Sequence, residues 1–243
     1  DADELSQAAL SCNGCGHCRS TQDEVRMCPI FRFAPREEAA PRAKANLVRA
    51  VLAGRLPAAE MGGEALKAVA DLCVNCHQCR SECPANVDIP KLVLETKAQF
   101  VAQRGLPSSD WLPTRLDTLA YWAGWLRPLT NWALGNSQAR WLMDKLFGLA
   151  QGRKLPRLAP RSFLRIAARN RWTSPPRHSG PRVLYFVDTY VNWFDPQLGE
   201  AVVRVLDHNG VAVFVDPDQE SSGMATLTAG DIERVKGQAR RNI

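Results

Sequence analysis

The 243-residue chain contains no run of eighteen apolar residues. Its most apolar stretch, Thr118 to Gly135, is interrupted by Arg127 and Pro128, which excludes a simple membrane-spanning helix there. No glycine-rich dinucleotide loop follows a strand pattern, so the chain carries no nicotinamide or flavin fingerprint of its own. No cysteine occurs after Cys83, and no acidic residue lies between Asp144 and Asp188. Disulfides are a poor reading of crowded thiols in a chain that gives no sign of an oxidising compartment. A cytoplasmic protein, or one peripheral to the inner face of the membrane, is therefore expected.

All eight cysteines fall in two runs. The second reads Cys73-Val-Asn-Cys76-His-Gln-Cys79-Arg-Ser-Glu-Cys83-Pro84, a C-x2-C-x2-C-x3-C-P pattern. The first, Cys12-Asn-Gly-Cys15-Gly-His-Cys18, opens identically but reaches its Cys28-Pro29 only after nine residues. Three thiolates at this spacing suit three irons of a four-iron cluster, and a fourth must come from elsewhere. In two-run proteins the fourth cysteine commonly serves the other run's cluster. That logic predicts one [4Fe-4S] cluster on Cys12, Cys15, Cys18 and Cys83, and a second on Cys73, Cys76, Cys79 and Cys28. Two zinc sites are the alternative, but a third cysteine two residues on, twice, with Cys-Pro endings, argues for iron and sulfide. Gly14 and Gly16 supply positive dihedrals for turning amides inward. His17 and His77 either face solvent or donate to a sulfur, and neither is required as a ligand.

The net charge of +6 is uneven. Lys145, Arg153, Lys154, Arg157, Arg161, Arg165, Arg169, Arg171, Arg177 and Arg182 make one segment +10, leaving the remainder at about −4 by subtraction. The stripe reads as a solvated connector or a docking surface, with nucleic acid the least favoured partner.

Periodicity predicts helices over Asp3–Leu10, Pro41–Ala53 with an apolar face of Leu47, Val48, Val51 and Leu52, Gly63–Leu72, and Ile89–Arg104 with Pro90 in its first turn. Ile30-Phe31-Arg32-Phe33 reads as a patch that shields a cluster. From Trp111 to Ala150 the chain reads as helical, with Trp111, Trp122, Trp125, Trp132 and Trp141 assigned to core rather than to a partner or membrane face. Prolines punctuate the basic stretch and suggest a boundary near residues 173–181. Beyond it, a buried strand over Arg182–Asp188, a helix over Pro196–Asn209 presenting Leu198, Val202, Val205 and Leu206, a strand over Val211–Val215 and a helix from about Thr228 onward imply a parallel pair. The expected class is mainly α: a two-cluster ferredoxin-like helical domain over residues 1–106, a Trp-rich helical segment with basic linker over 107–180, and a partial α/β domain over 181–243. Asp1 in place of Met, and the few elements after 181, suggest a piece of a longer polypeptide.

On these residues, together with Asp88-Ile-Pro-Lys91, Val187-Asp-Thr-Tyr190, Asp195-Pro-Gln-Leu-Gly199 and Asn209-Gly210, nearly the whole chain resembles one large family of iron-sulfur modules. That family includes the glycolate oxidase iron-sulfur subunit, the anaerobic glycerol-3-phosphate dehydrogenase C subunit and the heterodisulfide reductase D subunit. The likeness is strongest to modules fused behind an FAD-linked oxidase of the D-lactate dehydrogenase type. It implies an FAD-binding dehydrogenase domain or subunit as partner, a 2-hydroxy acid as that partner's substrate, and a quinone or membrane-surface carrier as acceptor. The chain would then be the electron-transfer module of an oxidoreductase rather than a complete enzyme. A cluster-bearing interaction subunit, with nucleic acid on the basic stripe, is the competing expectation. Heterodisulfide reductase-type members carry Cys-Cys-Gly in the α/β domain, where this chain has Ser221-Ser222-Gly223. Hydroxyls are poor iron ligands beside thiolates, so cluster chemistry on a disulfide is not expected here.

Overall fold

The computed structural model describes residues 2–175 and 180–243. The chain is mainly helical, with one two-stranded sheet among the described residues. It divides into two compact units. One holds the residues up to Pro107 together with Ala225–Ile232, the other Ser108–Met224 and Glu233–Ile243.

In the first unit, helices α1 (Ala2–Leu10), α2 (Pro29–Phe33), α3 (Pro41–Leu52), α4 (Glu64–Asp71), α5 (Gln78–Glu82) and α6 (Ile89–Arg104) enclose the cysteine loops. Asp88 caps α6 by accepting from the Lys91 amide at 3.2 Å, and Pro90 occupies the first turn, where its missing N–H costs nothing. Helices α1, α3, α4 and α6 meet over Ala9, Val48, Leu66 and Leu92, with the cysteines packed around this core. Burying such side chains stabilises the unit by about 1.5–3 kcal/mol each. Leu52, expected on the apolar face of α3, is exposed, because the helix ends there and the chain turns at Ala53-Gly54. Of the predicted shielding patch, Phe31 is buried while Phe33 is 91% exposed, since a single turn of helix cannot aim both rings inward. Asp71 accepts from both Lys67 (2.5 Å) and Lys97 (3.1 Å), which lets two largely buried ammonium groups remain paired. Gly230, at φ +86°, presses on the backbone of Lys97 and Ala98, where a Cβ would come within 2.6 Å. It splits the predicted C-terminal helix into α14 (Met224–Ala229) and α15 (Ile232–Asn242).

The second unit begins with α7 (Ser108–Trp111), α8 (Leu116–Trp125), α9 (Arg127–Gly135) and α10 (Ser137–Phe147), followed by α11 (Phe163–Arg169). Then come β1 (Arg182–Leu184), α12 (Thr189–Trp193), α13 (Pro196–His208) and β2 (Ala212–Phe214), the two strands pairing in parallel with Val183 opposite Val213. The segment expected to be a buried strand is strand only over three residues, and all three are exposed; two strands offer one ladder and no second sheet layer to cover them. The buried residues are the flanking Val187 and Val215, which join Phe163, Ala167 and Val203 in the unit's core. On α13 the buried positions are Pro196, Gly199 and Val203, while Leu198 and Val205 of the expected face are exposed.

Part of the suggested boundary, residues 176–179, lies outside the described residues. The elements on its two sides are knit into one unit. Asp117 of α8 accepts from Thr189 Oγ1 at 2.7 Å and Trp193 Nε1 at 3.1 Å. Leu164 of α11 donates its amide to Asn192 at 3.1 Å. Asn131 of α9 exchanges two hydrogen bonds with the backbone of Leu158, at 2.9 and 3.0 Å. The tryptophans do not form core as expected: Trp122, Trp125 and Trp132 are 60–70% exposed, with Trp111 and Trp141 also at the surface.

Candidate metal centre

The two cysteine loops share one backbone design. Gly14 and Gly16, two and four residues after Cys12, have φ of +74° and +76°. The matching positions after Cys73 are Asn75 and His77, at +52° and +60°. The first loop thus uses glycine where the left-handed region is reached freely, and the second holds L-residues there against a cost of about 1–2 kcal/mol each. Cys28, also at positive φ (+56°), is the N-cap of α2, and its sulfur accepts from the Phe31 amide at 3.4 Å. His17 and His77 are both exposed.

Each loop wraps a small cavity. Cys12, Cys15 and Cys18 line the first, together with Cys83 and Cys79 from the second run. Cys73, Cys76 and Cys79 line the other, together with Cys28 from the first run. Cys79, Pro41 and Ile89 belong to both walls and separate the two spaces. Among the described residues no three His, Cys, Asp or Glu side chains converge as a single metal ion requires.

Burial pushes the Cys79 thiol up to about 12, with further contributions from Cys73, Cys76 and Cys28. Burial likewise raises Cys18 and Cys28, against the amide of Phe31 and the charge of Lys44 in the case of Cys28. Lys44 was not legible in the sequence as a site residue. It is buried beside the second cavity and donates to the carbonyls of Glu38 and Ala39, both at 2.8 Å. Burial lowers its pKa, opposed by the thiolate forms of Cys28, Cys73 and Cys79. The first cavity has the exposed-side counterpart Arg42, whose guanidinium binds Glu37 at 2.8 and 3.1 Å.

Each cavity thus draws cysteines from both runs, and the comparison of the chain with known families bears on the same residues. Residues 11–88 match the 4Fe-4S dicluster domain family. The dicluster domain therefore spans both cysteine runs and ends at the N-cap of α6. Over 165 residues the chain is 24% identical to the anaerobic glycerol-3-phosphate dehydrogenase C subunit of Escherichia coli K12, and the same figures hold for that of Escherichia coli O157:H7. The alignment covers 66% of this chain and 40% of each relative. No solved structure matches.

The C-terminal serines sit in a different setting. Ser222 Oγ donates to Asp188 at 2.7 Å, and Ser221 Oγ accepts from Gln238 at 3.2 Å. Both hydroxyls are engaged in hydrogen bonds that hold the loop before α14. Among the described residues, no helix is long and apolar enough to cross a membrane.

Proposed function

We propose that the dicluster domain is an electron relay holding two [4Fe-4S] clusters, one on Cys12, Cys15, Cys18 and Cys83, the other on Cys73, Cys76, Cys79 and Cys28. The observation that carries this reading is the exchange of Cys83 and Cys28 between the two cavities. A third cysteine two residues on in each run, with a Cys-Pro ending to both, suits an iron-sulfur core better than a four-thiolate zinc site.

When bound, each cluster would supply one-electron chemistry, which splits the two-electron output of a flavin into single steps. The chain's own residues do the rest. Met27, Phe31 and Val87 are buried beside the cysteine loops and exclude water from them. Lys44 presents a buried ammonium to the second cavity, and the shared wall of Cys79, Pro41 and Ile89 keeps the two spaces adjacent. The eight thiols must lose their protons to ligate iron, so loading releases protons and the raised Cys18, Cys28 and Cys79 make it more favourable as pH rises.

The electron donor in this proposal is an FAD-bearing dehydrogenase domain or subunit acting on a 2-hydroxy acid such as D-lactate, glycolate or 2-hydroxyglutarate, and the acceptor is a quinone or other carrier. The name of the relatives, which are components of a dehydrogenase, supports a dehydrogenase partner. Anaerobic reconstitution tests the reading: about eight irons and eight sulfides per chain are expected, with visible absorption bleached by dithionite. The isolated chain should oxidise no hydroxy acid until the flavoprotein and its substrate are added, which should restore bleaching. Stoichiometric zinc without acid-labile sulfide, or turnover of a hydroxy acid by the isolated chain, would overturn it.

A further inference from the structure

Helices α8, α9 and α10 pack in sequence, and each leaves large apolar side chains in solvent. Trp122 and Trp125 on α8, Leu129 and Trp132 on α9, and Trp141 and Leu146 on α10 are all exposed. So many large apolar side chains left in solvent by successive packed helices mark an interaction surface.

The basic stripe lies against the same helices. Trp125 and Tyr121 line a cavity of about 230 Å³ together with Arg161 and Arg165. At the junction of α9 and α10, Leu134 and Ser137 line a second cavity, of about 530 Å³, with Arg153, Lys154 and Arg157. Its floor is set by Arg140, buried in the unit, whose guanidinium donates to the carbonyls of Ala150 and Arg153 at 2.8 and 2.9 Å and so fixes the loop that carries these cations. Lys145, Arg153, Lys154, Arg157, Arg161 and Arg165 form no salt bridge among the described residues, and no acidic residue lies between Asp144 and Asp188 to supply one locally.

We propose that α8–α10 and the adjoining basic segment form a docking surface for an anionic lipid bilayer, with the tryptophans at headgroup depth and the cations on lipid phosphates. Indole rings favour that boundary because one edge is polar and the body apolar. Unpaired arginine and lysine beside an apolar face complement an anionic surface, while their own mutual repulsion needs an external anion to relieve it. The proposal stands on the second unit alone and does not depend on the cluster assignment.

The test is partitioning of the full chain onto phosphatidylcholine vesicles with and without about one-third phosphatidylglycerol. Expected are binding to the anionic vesicles only, weakening with salt, a shift of tryptophan emission to shorter wavelength, and quenching by lipids brominated in the acyl chain. Replacing Arg153, Lys154 and Arg157 by Gln should weaken binding by about a hundredfold, at about fivefold per charge removed. Trp122→Ser with Trp132→Ser should weaken binding and diminish the emission shift, and Trp122→Phe with Trp132→Phe should keep binding close to the parent's. Circular dichroism checks that each variant keeps its helices. Any of four results overturns the proposal: no binding at low salt; anionic binding with no tryptophan quenching; displacement by millimolar inorganic phosphate, which would mark a soluble-anion site; or a concentration-dependent dimer that hides the same tryptophans without lipid. Salt-dependent binding to DNA in place of vesicles would overturn it equally.

Discussion

Lys44 and Cys28 meet on one main-chain oxygen: the Lys44 ammonium donates to the carbonyl of Ala39 at 2.8 Å, and the Cys28 sulfhydryl donates to the same atom at 3.4 Å. A buried positive charge is thereby held next to one proposed iron ligand, while the first cavity has only the more exposed Arg42, already paired with Glu37. Reduction adds negative charge to a cluster, so a nearby buried cation favours the reduced state. Lys44→Met should lower the potential of the cluster in the second cavity by on the order of tens of millivolts and leave the other unchanged. A redox titration followed by electron paramagnetic resonance checks this; equal shifts in both clusters would assign the effect to general destabilisation.

The interleaved cavities make a sharper prediction about ligation. Cys28→Ala should destroy the cluster associated with Cys73, Cys76 and Cys79, and Cys83→Ala the one associated with Cys12, Cys15 and Cys18, each variant retaining about four irons. Spectra of the two single variants should add to that of the parent. If Cys28→Ala instead removes the signal that Cys12→Ala also removes, ligation is local to each run.

The cysteine pattern was legible because cluster ligation imposes short, repeated spacings on the chain itself. Helix α6 was legible to the residue, since Asp88, Pro90 and Gly105 punctuate both ends. The tryptophans were misassigned for a physical reason: periodicity shows that a helix has an apolar face, but not whether another element covers it. The burial expected for the strand over Arg182–Asp188 failed likewise, because an apolar run signals burial only if neighbouring strands and layers exist to bury it. Lys44 left no sequence signal, as its partners are main-chain carbonyls that any residues could supply.

Backbone strain in the loops is open to measurement. A Cβ at Gly14 would meet no atom within 4 Å and one at Gly16 only the end of Arg42, so Gly14→Ala and Gly16→Ala should lose stability purely through φ, by about 1–2 kcal/mol each. At Asn75 and His77 the same region is already occupied by L-residues. Asn75→Gly and His77→Gly should therefore change stability by no more than about 1 kcal/mol, relief of strain offsetting the added chain entropy. Anaerobic chemical denaturation of loaded protein measures both pairs. A neutral Gly14→Ala would show that the loop relaxes out of the left-handed region.

Asp188 ties the second unit to pH. Partial burial would raise its pKa, but hydrogen bonds from Ser222 Oγ (2.7 Å), the Thr189 amide (2.8 Å) and the Ser222 amide (3.3 Å) outweigh it and hold the carboxyl below its ordinary value. A carboxylate depressed in the folded state contributes stability that is complete above its unfolded pKa and is lost as pH falls through the folded one. The same side chain caps α12, a contribution of about 1 kcal/mol. Asp188→Ala should accordingly destabilise the second unit at neutral pH, and the difference from the parent should shrink as pH falls below the ordinary carboxylate range, where the parent's own carboxylate becomes protonated. Near-ultraviolet circular dichroism of the aromatic-rich second unit follows its unfolding separately from the acid loss of any cluster. A stability difference that stays constant across this range would show that Asp188 acts through packing and not through its charge.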